Sequence, residues 1–376
     1  MRSADVIVIG GGVMGLGLAR SLAKAGKKVS LFEAGPLGRE ASFASAGMIG
    51  PQSEAMEDDA YFAATIVSRD LWPGFAAELA AEAGADLHYH PRGALHLAFG
   101  AGYERRLEAK YLWQKTRSGQ VEKLGREALM KRWPYLHPRV SAGYLASGDQ
   151  WVDNEALVAA LEAACRKLGV ALHDHAPVEP LAAEAGAIKG VRALGEFHAA
   201  GAVVVAAGAW SGQVLGGLLG PKPAFVPVRG QVVSFVAPPE LVPDLPIHAE
   251  NIYLVPRHGN RVIAGATVEY KGFEKVVTGE GLEYLLQNAF ETIPDLRPCL
   301  VDRTWAGLRP GSDDGWPTLG PTPIAGLFLA CGHFRRGILF APLTIQRVSE
   351  TVLGQPLAAD VRAFSFERHA KAAHAG

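Results

Sequence analysis

The order of apolar and polar residues at the start of the chain predicts a strand, a helix and a second strand. Residues 5–9 are an almost wholly apolar run, which predicts a buried strand. Between residues 15 and 25 the apolar residues recur at helical spacing, and the helix ends at Gly26. Residues 28–32 then resume a strand. This opening predicts a βαβ unit.

The pattern changes from helical to alternating and back through the middle of the chain. Residues 89–99 alternate between apolar and polar, which predicts a strand of an antiparallel sheet, and residues 169–172 form a further short strand. Asp153 is the predicted N-cap of a strongly periodic helix. The predicted helices span residues 58–83, 103–118, 126–133 and 154–168.

The second half of the chain returns to the first sheet. Residues 202–210 are a continuous apolar run, typical of a strand buried on both faces of a parallel sheet. Alternating segments separated by turns predict a second, antiparallel sheet; they span residues 227–235, 251–256 and 261–267. Residues 327–332 predict another buried strand, and residues 338–354 a closing helix, while the tail after Arg368 is predicted to fray. The first domain is therefore discontinuous.

The turn after the first strand carries the spacing of a dinucleotide-binding loop. Gly10 permits the tight turn, Gly12 lets backbone N–H groups approach a pyrophosphate, and Gly15 lets the helix pack closely. Glu33 ends the second strand, where its carboxylate would accept hydrogen bonds from both ribose hydroxyls and disfavour a 2′-phosphate. An ordinary βα turn is the alternative. The residues assigned to this loop are Gly10, Gly12, Val13, Met14, Gly15 and Glu33.

Composition and charge favour a small-molecule partner. The chain has 376 residues, 49% of them hydrophobic, which suffices for about two domains with buried cores. Its 37 basic and 38 acidic side chains give a net charge of −1, so no field favours nucleic acid or an anionic membrane. We therefore expect neither nucleic acid nor a membrane as a partner.

Cysteine usage and the absence of long apolar stretches indicate a cytoplasmic protein without a structural metal. The three cysteines, Cys165, Cys299 and Cys331, form no C-x-x-C pair, so neither a disulfide framework nor a zinc site is expected. The first strand begins almost at the initiator Met, which leaves no room for a signal peptide. The longest uncharged stretches are shorter than the ~20 residues of a membrane span.

Arg309 is the strongest candidate for binding a substrate anion. It stands between Gly307-Leu308 and Pro310-Gly311, a rigid and weakly polar setting. A buried arginine needs a partner, which is either a structural carboxylate or the carboxylate of a ligand. The sequence around Arg309 leaves both possibilities open.

Four further segments, taken with the loop at Gly10, resemble one family of flavoproteins. These segments are residues 40–48, 227–231, 305–311 and 332–338. Together they make the chain similar to the glycine oxidases, the thiamine-pathway branch of the D-amino-acid oxidase superfamily. The resemblance covers nearly the whole chain.

The resemblance implies a mixed α/β fold (α+β overall). It combines a Rossmann-like FAD-binding domain of the D-amino-acid oxidase type with an antiparallel-sheet substrate domain. The implied FAD-binding domain comprises residues 1–88, 150–216 and 305–376, and the substrate domain residues 89–149 and 217–304. FAD is held without a covalent bond, and the expected assembly is a homodimer or homotetramer.

The implied reaction is the oxidative deamination of glycine or another small amino acid or amine. A hydride passes from Cα to flavin N5, O2 reoxidises the flavin, and the products are an imine, then a keto acid with ammonia, and hydrogen peroxide. The protein supplies position and electrostatics, while the redox step belongs to the cofactor.

The resemblance also assigns roles to individual residues. Arg309 and Tyr253 would hold the substrate carboxylate, Arg335 is a further active-site arginine, and Met48 and Asn251 border the substrate. Close relatives commonly have a histidine at the position of Asn251 and a methionine at the position of Val268. These two differences leave open whether glycine is the preferred substrate. The remaining cofactor contacts implied are Ala41, Ser42, Ala46, Gly47, Met48, Val178, Ala207, Gly208, Trp210, Gly307, Arg309, His333, Phe334, Arg335, Arg336, Gly337 and Ile338.

Three alternatives stay open at this stage. An FAD-dependent D-amino-acid dehydrogenase or oxidase could act on a larger, specialised amino acid, and a membrane-coupled dehydrogenase would pass its electrons to a quinone. An NAD-dependent dehydrogenase would share the Gly10 and Glu33 features, although it has no need of the segment at residues 332–338. A catalytically silent flavin-binding protein would have no need of Arg309 and Tyr253.

Overall fold

A computed structural model describes residues 3–55, 57–118, 120–221 and 223–372. The strands, in chain order, are β1 (Ala4–Ile9), β2 (Val29–Phe32), β3 (Met48–Ile49), β4 (Ala94–Ala98), β5 (Val121–Gly125), β6 (Ala142–Ala146), β7 (Gln150–Trp151), β8 (Ala171–His173), β9 (Gly190–Ala193), β10 (Glu196–Val205), β11 (Phe225–Val236), β12 (Ile247–His248), β13 (Tyr253–Arg257), β14 (Arg261–Gly265), β15 (Leu300–Ser312), β16 (Thr318–Pro321) and β17 (Leu327–Cys331). The helices are α1 (Val13–Lys24), α2 (Ala41–Ala44), α3 (Pro51–Glu54), α4 (Ala60–Ala83), α5 (Ala101–Ser118), α6 (Arg126–Arg132), α7 (Asn154–Lys167), α8 (Ser211–Leu215), α9 (Gly279–Thr292), α10 (Gly337–Val352) and α11 (Glu367–Ala372).

The first sheet collects strands from both ends of the chain. Its order is β16-β17-β10-β1-β2-β8, and β9 pairs with β10. The four pairs from β17 to β8 are parallel, whereas β16 and β9 join antiparallel. Ile7 pairs with Val203 and Ser30, which places β1 in the middle, where both faces are covered. The wholly apolar composition of β1 and the end of β10 follows from that position.

Helices cover one face of this sheet with the largest hydrophobic core. Leu16, Leu18 and Leu22 of α1 are fully buried, and so are Leu343 and Val348 of α10. Since α1 packs on both α7 and α10, the first and last parts of the chain share one core. This packing brings the N-termini of α1 and α10 to the same end of the sheet as the Gly10 turn.

The second sheet has eight strands in the order β15-β11-β14-β13-β12-β4-β6-β5. All its pairs are antiparallel except that between β12 and β4. A separate apolar core, which includes Phe235, Leu254 and Leu285, lies between this sheet and α9. The long strand β15 pairs with β11 from Phe225 to Val236.

Most predicted elements are present with shifted bounds, and several were missed. The predicted strand at residues 89–99 is reduced to β4, and the apolar run at 202–210 ends as a strand at Val205 before a turn at Gly208–Trp210. Asp153 caps α7 as predicted, since its Oδ1 accepts from the N–H groups of Glu155 (2.9 Å) and Ala156 (3.0 Å). The missed elements are α2, α3, α8, α9, α11, β3, β5, β6, β7, β9, β12, β15 and β16.

The chain is helical near its C-terminal end, where α11 runs to Ala372. The prediction of a frayed tail is wrong as far as Ala372, because α11 forms and Arg368 donates to Asp314 Oδ2 at 2.7 Å; residues 373–376 lie outside the described part. Among the described helices, none is both long and apolar enough to cross a bilayer.

Candidate active site

A cavity of about 820 Å³ lies where the carboxyl ends of the parallel strands face the second sheet. Such a position is typical of ligand sites in parallel α/β sheets. All the predicted site residues except Gly15 line it. They are Gly10, Gly12, Val13, Met14, Glu33, Ala41, Ser42, Ala46, Gly47, Met48, Val178, Ala207, Gly208, Trp210, Asn251, Tyr253, Gly307, Arg309, His333, Phe334, Arg335, Arg336, Gly337 and Ile338.

The glycines at the end of β1 are required by close backbone contacts. Gly10 has a φ of +108°, and a Cβ there would lie 2.4 Å from the carbonyl oxygen of Ala206. A Cβ on Gly15 would lie 1.8 Å from the Gly10 carbonyl oxygen, so Gly15 supports the turn from behind and does not face the cavity. Gly12, the N-cap of α1, has no capping side chain of its own and faces the cavity.

Glu33 is held at the end of β2 by two backbone N–H groups. Its Oε2 accepts from Gly11 N at 2.6 Å, and its Oε1 accepts from Gly35 N at 3.0 Å. Each carboxylate oxygen keeps further acceptor capacity toward the cavity. The geometry fits a carboxylate that binds ribose hydroxyls.

The small-residue segment 41–48 is held by hydrogen bonds with α1, α7 and β13. Ser42 Oγ accepts from Val13 N at 3.0 Å, so this segment supplies a hydrogen bond to the start of α1. Asn154 Nδ2 donates to the carbonyl oxygens of Ser42 (2.9 Å) and Phe43 (2.8 Å). Arg257 Nη2 donates to the Ala46 carbonyl oxygen at 2.7 Å and to Asn154 Oδ1 at 2.8 Å. The segment therefore lies over the cavity in one defined position.

Arg309, on β15, is a partly buried cation without a carboxylate partner among the described residues. Its Nη1 donates to the backbone oxygens of Thr267 (3.0 Å) and Arg229 (3.3 Å). Burial lowers its pKa, although a guanidinium stays charged at physiological pH. Arg309 also lines the cavity. Its guanidinium therefore has donors left for a bound anion.

Tyr253, the first residue of β13, places its hydroxyl beside Arg309. A Cβ on Gly265 would lie 2.4 Å from that hydroxyl, so Gly265 makes room for the ring. Burial raises the pKa of Tyr253, while the Arg309 and Arg335 charges act in the opposite direction. The phenol is therefore neutral and free to donate to an anion.

Comparisons with known proteins now decide the family. A family model described as FAD dependent oxidoreductase matches residues 5–351. The chain belongs to this family. The glycine oxidase of Bacillus licheniformis is 34% identical to it over 370 residues, 97% of each chain. The crystal structure of glycine oxidase from Geobacillus kaustophilus superposes with a TM-score of 0.93 at 33% identity, covering 98% of this chain and 100% of that one. That of iminodiacetate oxidase from Chelativorans sp. BNC1 gives 0.87 at 26%, covering 96% and 98%.

The predicted family resemblance and fold class are confirmed for this FAD dependent oxidoreductase. The predictions of FAD as the cofactor and of an FAD-dependent amino acid oxidase are confirmed as well. The alternative of an NAD-dependent dehydrogenase is wrong, because the matched family uses FAD. The roles of individual residues remain predictions.

The first-sheet end of the cavity fits the FAD that this family uses. Gly12 and the open start of α1 would take the pyrophosphate, and Glu33 the ribose. The N-terminus of α10, at Gly337 and Ile338, also lines the cavity, and its dipole favours negative charge nearby. His333 is buried and hydrogen-bonded through Nε2 to Thr344 Oγ1 at 3.0 Å. Burial lowers its pKa to about 3, so His333 is neutral.

Glu54 and His248 are among the polar residues of the cavity wall that the sequence reasoning missed. Glu54 ends α3, six positions after Met48, and His248 lies in β12, five positions before Tyr253. Glu54 lies against Arg335, with Arg335 Nε to Glu54 Oε2 at 3.3 Å. Neither residue belongs to a periodic pattern. Their nearness in sequence to Met48 and Tyr253 was the available signal.

Proposed function

We propose that this flavoenzyme oxidises glycine or another small amino acid whose carboxylate is held by Arg309. The observation that carries the proposal is that Arg309 is partly buried in the cavity wall and donates to two backbone carbonyls, but pairs with no carboxylate among the described residues. A bidentate carboxylate contact would complete its hydrogen bonds. Tyr253 would add a donor to the same carboxylate. The names of the glycine oxidase relatives support this substrate class.

The protein's part in the reaction is to bind the substrate and fix its orientation. FAD, when bound, supplies the acceptor for the hydride that leaves Cα of the substrate. Arg309 and Tyr253 hold one end of the substrate, which restricts the orientation of Cα. His333 is neutral and committed to Thr344, so it acts as a structural residue and not as an acid or base. The imine product then hydrolyses to a keto acid and ammonia.

We propose O2 as the electron acceptor, with hydrogen peroxide as the second product. The oxidases among the relatives support this choice. The expectations of a homodimer or homotetramer and of a cytoplasmic location stay predictions.

The two-domain division is also proposed, with one boundary moved. The seven-stranded sheet and its helices would form the FAD-binding domain, and the eight-stranded sheet the substrate domain. Because β15 pairs with β11 up to Ser312, we move the last boundary from residue 305 to residue 313. Arg309 then belongs to the substrate domain.

The test is a visible spectrum of the purified protein followed by anaerobic mixing with a panel of amines. We expect bound flavin, and bleaching by glycine, sarcosine or a small D-amino acid. A flavin that no amino acid bleaches would overturn the proposal. In a second step, air is admitted to the reduced enzyme and hydrogen peroxide is measured. Rapid reoxidation with peroxide supports O2, whereas reoxidation only on addition of a quinone would identify a dehydrogenase.

A further inference from the structure

Glu54 and Arg335 form a charged pair in the wall of the cavity. Arg335 Nε lies 3.3 Å from Glu54 Oε2, and Arg335 Nη2 lies 3.4 Å from Glu54 Oε1. The Glu54 side chain is 14% exposed and that of Arg335 is 45% exposed. Arg335 is thus half open to solvent, while most of the Glu54 side chain is covered.

This pair acts on the same space as the carboxylate anchor. The charges of Arg335 and Glu54 both influence the pKa of Arg309, after the larger effect of burial. They influence the pKa of Tyr253 in the same way. Arg309, Tyr253, Glu54 and Arg335 also line the same cavity. A substrate held by Arg309 and Tyr253 therefore shares that space with Glu54 and Arg335.

The ionisable groups His248, Arg336 and Lys110 near Glu54 are neutral or cationic, so none of them supplies a negative charge in its place. Burial lowers the pKa of His248 to about 4, so this histidine is neutral at physiological pH. Arg336 donates to the Glu54 backbone oxygen at 2.7 Å and lies over the Tyr61 ring at 4.1 Å. Lys110 donates to the backbone oxygen of Ser53 at 2.6 Å. Glu54 is the one carboxylate that contacts Arg335 within the described ranges.

The short helix α3 holds Glu54 in place through groups other than its carboxylate. Asp149 accepts hydrogen bonds from the N–H groups of Gln52 (3.1 Å) and Ser53 (3.0 Å). Together with the contacts of Lys110 and Arg336 to backbone oxygens, these bonds fix the helix from both ends. A neutral, isosteric residue at position 54 should therefore leave α3 in place.

We propose that Glu54 sets the charge specificity of this enzyme by neutralising Arg335, so that amino acids with an anionic second end are disfavoured. The preferred class is then small amino acids whose nitrogen substituent or side chain is neutral or cationic. Without Glu54, Arg335 would be free to bind a second carboxylate. The inference rests on the proposed function, because it takes Arg309 as the first anchor.

Binding of three ether analogues tests the proposal without turnover. Methoxyacetate carries a neutral end, diglycolate an anionic end and (2-aminoethoxy)acetate a cationic end, and none has an amine at the oxidisable position. Dissociation constants are measured from the perturbation of the flavin spectrum. We expect the wild-type enzyme to bind methoxyacetate about tenfold more tightly than diglycolate, because like charges within a site repel.

The Glu54→Gln variant should reverse this order. Diglycolate should then bind about tenfold more tightly than methoxyacetate, and (2-aminoethoxy)acetate should lose affinity. Glu54→Asp, which keeps the charge, should retain the wild-type order. The proposal is overturned if the ratio of the two constants changes by less than about threefold in Glu54→Gln.

Two further variants separate the proposal from general charge effects and from misfolding. Glu250 also lines the cavity, but its side chain is 48% exposed and pairs with Arg106, so Glu250→Gln should leave the ratio nearly unchanged. An equal effect of Glu250→Gln would contradict a specific role for Glu54. If Glu54→Gln does not bind FAD, Arg335→Gln gives the test. It leaves Glu54 unpaired and should weaken diglycolate more than methoxyacetate, and the opposite result overturns the proposal.

The same titrations distinguish failure of this inference from failure of the proposed function. If none of the three carboxylates binds, or no amine bleaches the flavin, the anchoring role of Arg309 and the reaction are wrong. If methoxyacetate binds and amines are oxidised, but the ratio is insensitive to Glu54, only the specificity role is wrong.

Discussion

The two ends of the cavity are built in different ways. At the end formed by the first sheet, the cavity is lined mainly by backbone groups, such as the N–H groups around Gly10 and Gly12 and the N-terminus of α10. At the end formed by the second sheet, they are charged and aromatic side chains, namely Arg309, Tyr253 and, from α3, Glu54. The turn at Gly10 and Gly12 is local, and α10 joins it from residue 337, whereas the side chains of the second end come from separate elements up to 255 positions apart, from 54 to 309.

This difference has a physical cause. Backbone groups are positioned by local turns, so a few glycines at fixed spacing suffice to build a phosphate site. Side-chain recognition of a carboxylate needs groups from several strands, and their positions depend on the packing of the whole sheet. The cofactor end should therefore be sensitive to small steric changes, and the substrate end to changes of charge and hydrogen bonding.

The largest expected effect is from Gly15→Ala at the cofactor end. The new Cβ would lie 1.8 Å from the Gly10 carbonyl oxygen, so the turn must move. We expect the protein to be purified without flavin, as measured by the absorbance ratio of flavin to protein. Gly26→Ala is the control. Gly26 has a φ of +79°, so alanine strains the backbone there, but its Cβ would meet no atom within 4 Å. Retention of flavin by Gly15→Ala would refute the steric account of this end.

The next effect is from Arg309→Met at the substrate end. Loss of a partly buried, bidentate charge contact weakens binding by about 2–5 kcal/mol, so kcat/KM should fall by about 30- to 4,000-fold while flavin content is retained. Steady-state kinetics with the amine that bleaches the flavin provide the measurement. Arg303→Met on the same strand is the matched control, because Arg303 pairs with Glu155 and does not line the cavity. Equal losses in both variants would show that Arg309 acts only through β15.

A pH effect is expected from His333 at the cofactor end. Its pKa is lowered by burial to about 3 in the folded protein, against 6.5 for an unperturbed histidine. Below pH 6.5 the unfolded chain takes up a proton that the folded chain does not. Stability is therefore lost as pH falls, by about 1.4 kcal/mol per pH unit from this group.

The variant His333→Asn removes this titration and isolates it from other groups. Asp149, whose pKa burial raises to about 6, has the opposite slope between pH 3.8 and 6, and it is present in both proteins. We expect His333→Asn to be less stable than the wild type at pH 7 and to gain on it steadily below pH 6.5. Urea unfolding at pH 7, 6 and 5 in excess FAD gives the comparison. Parallel curves would mean that His333 is not buried neutral.

The smallest effect is expected from Tyr253→Phe. The change removes one hydroxyl next to Arg309 and leaves the ring in its place beside Gly265. A single hydrogen bond to a charged group contributes about 1.5 kcal/mol, so KM should rise about tenfold with little change in flavin content. Tyr284→Phe is the control, since Tyr284 lines the cavity but its hydroxyl donates to the Asn251 carbonyl oxygen at 3.0 Å. A larger loss in Tyr284→Phe would reverse the assignment.

The sequence by itself determined the fold class and the cofactor end. Gly10, Gly12, Gly15 and Glu33 act through local geometry, which the spacing of a turn between a strand and a helix already defines. The family resemblance added Arg309, Tyr253 and Arg335 by their motifs. All of these except Gly15 line the cavity.

Only the tertiary structure decided which partners these side chains have. The sequence left open whether Arg309 pairs with a structural acid, and the fold shows that it donates to the backbone oxygens of Arg229 and Thr267 instead. Likewise, nothing in the sequence joins Glu54 to Arg335, which is 281 positions away. Long-range pairs of this kind are set by how α3, β15 and the start of α10 pack around one cavity, and no local pattern encodes that packing.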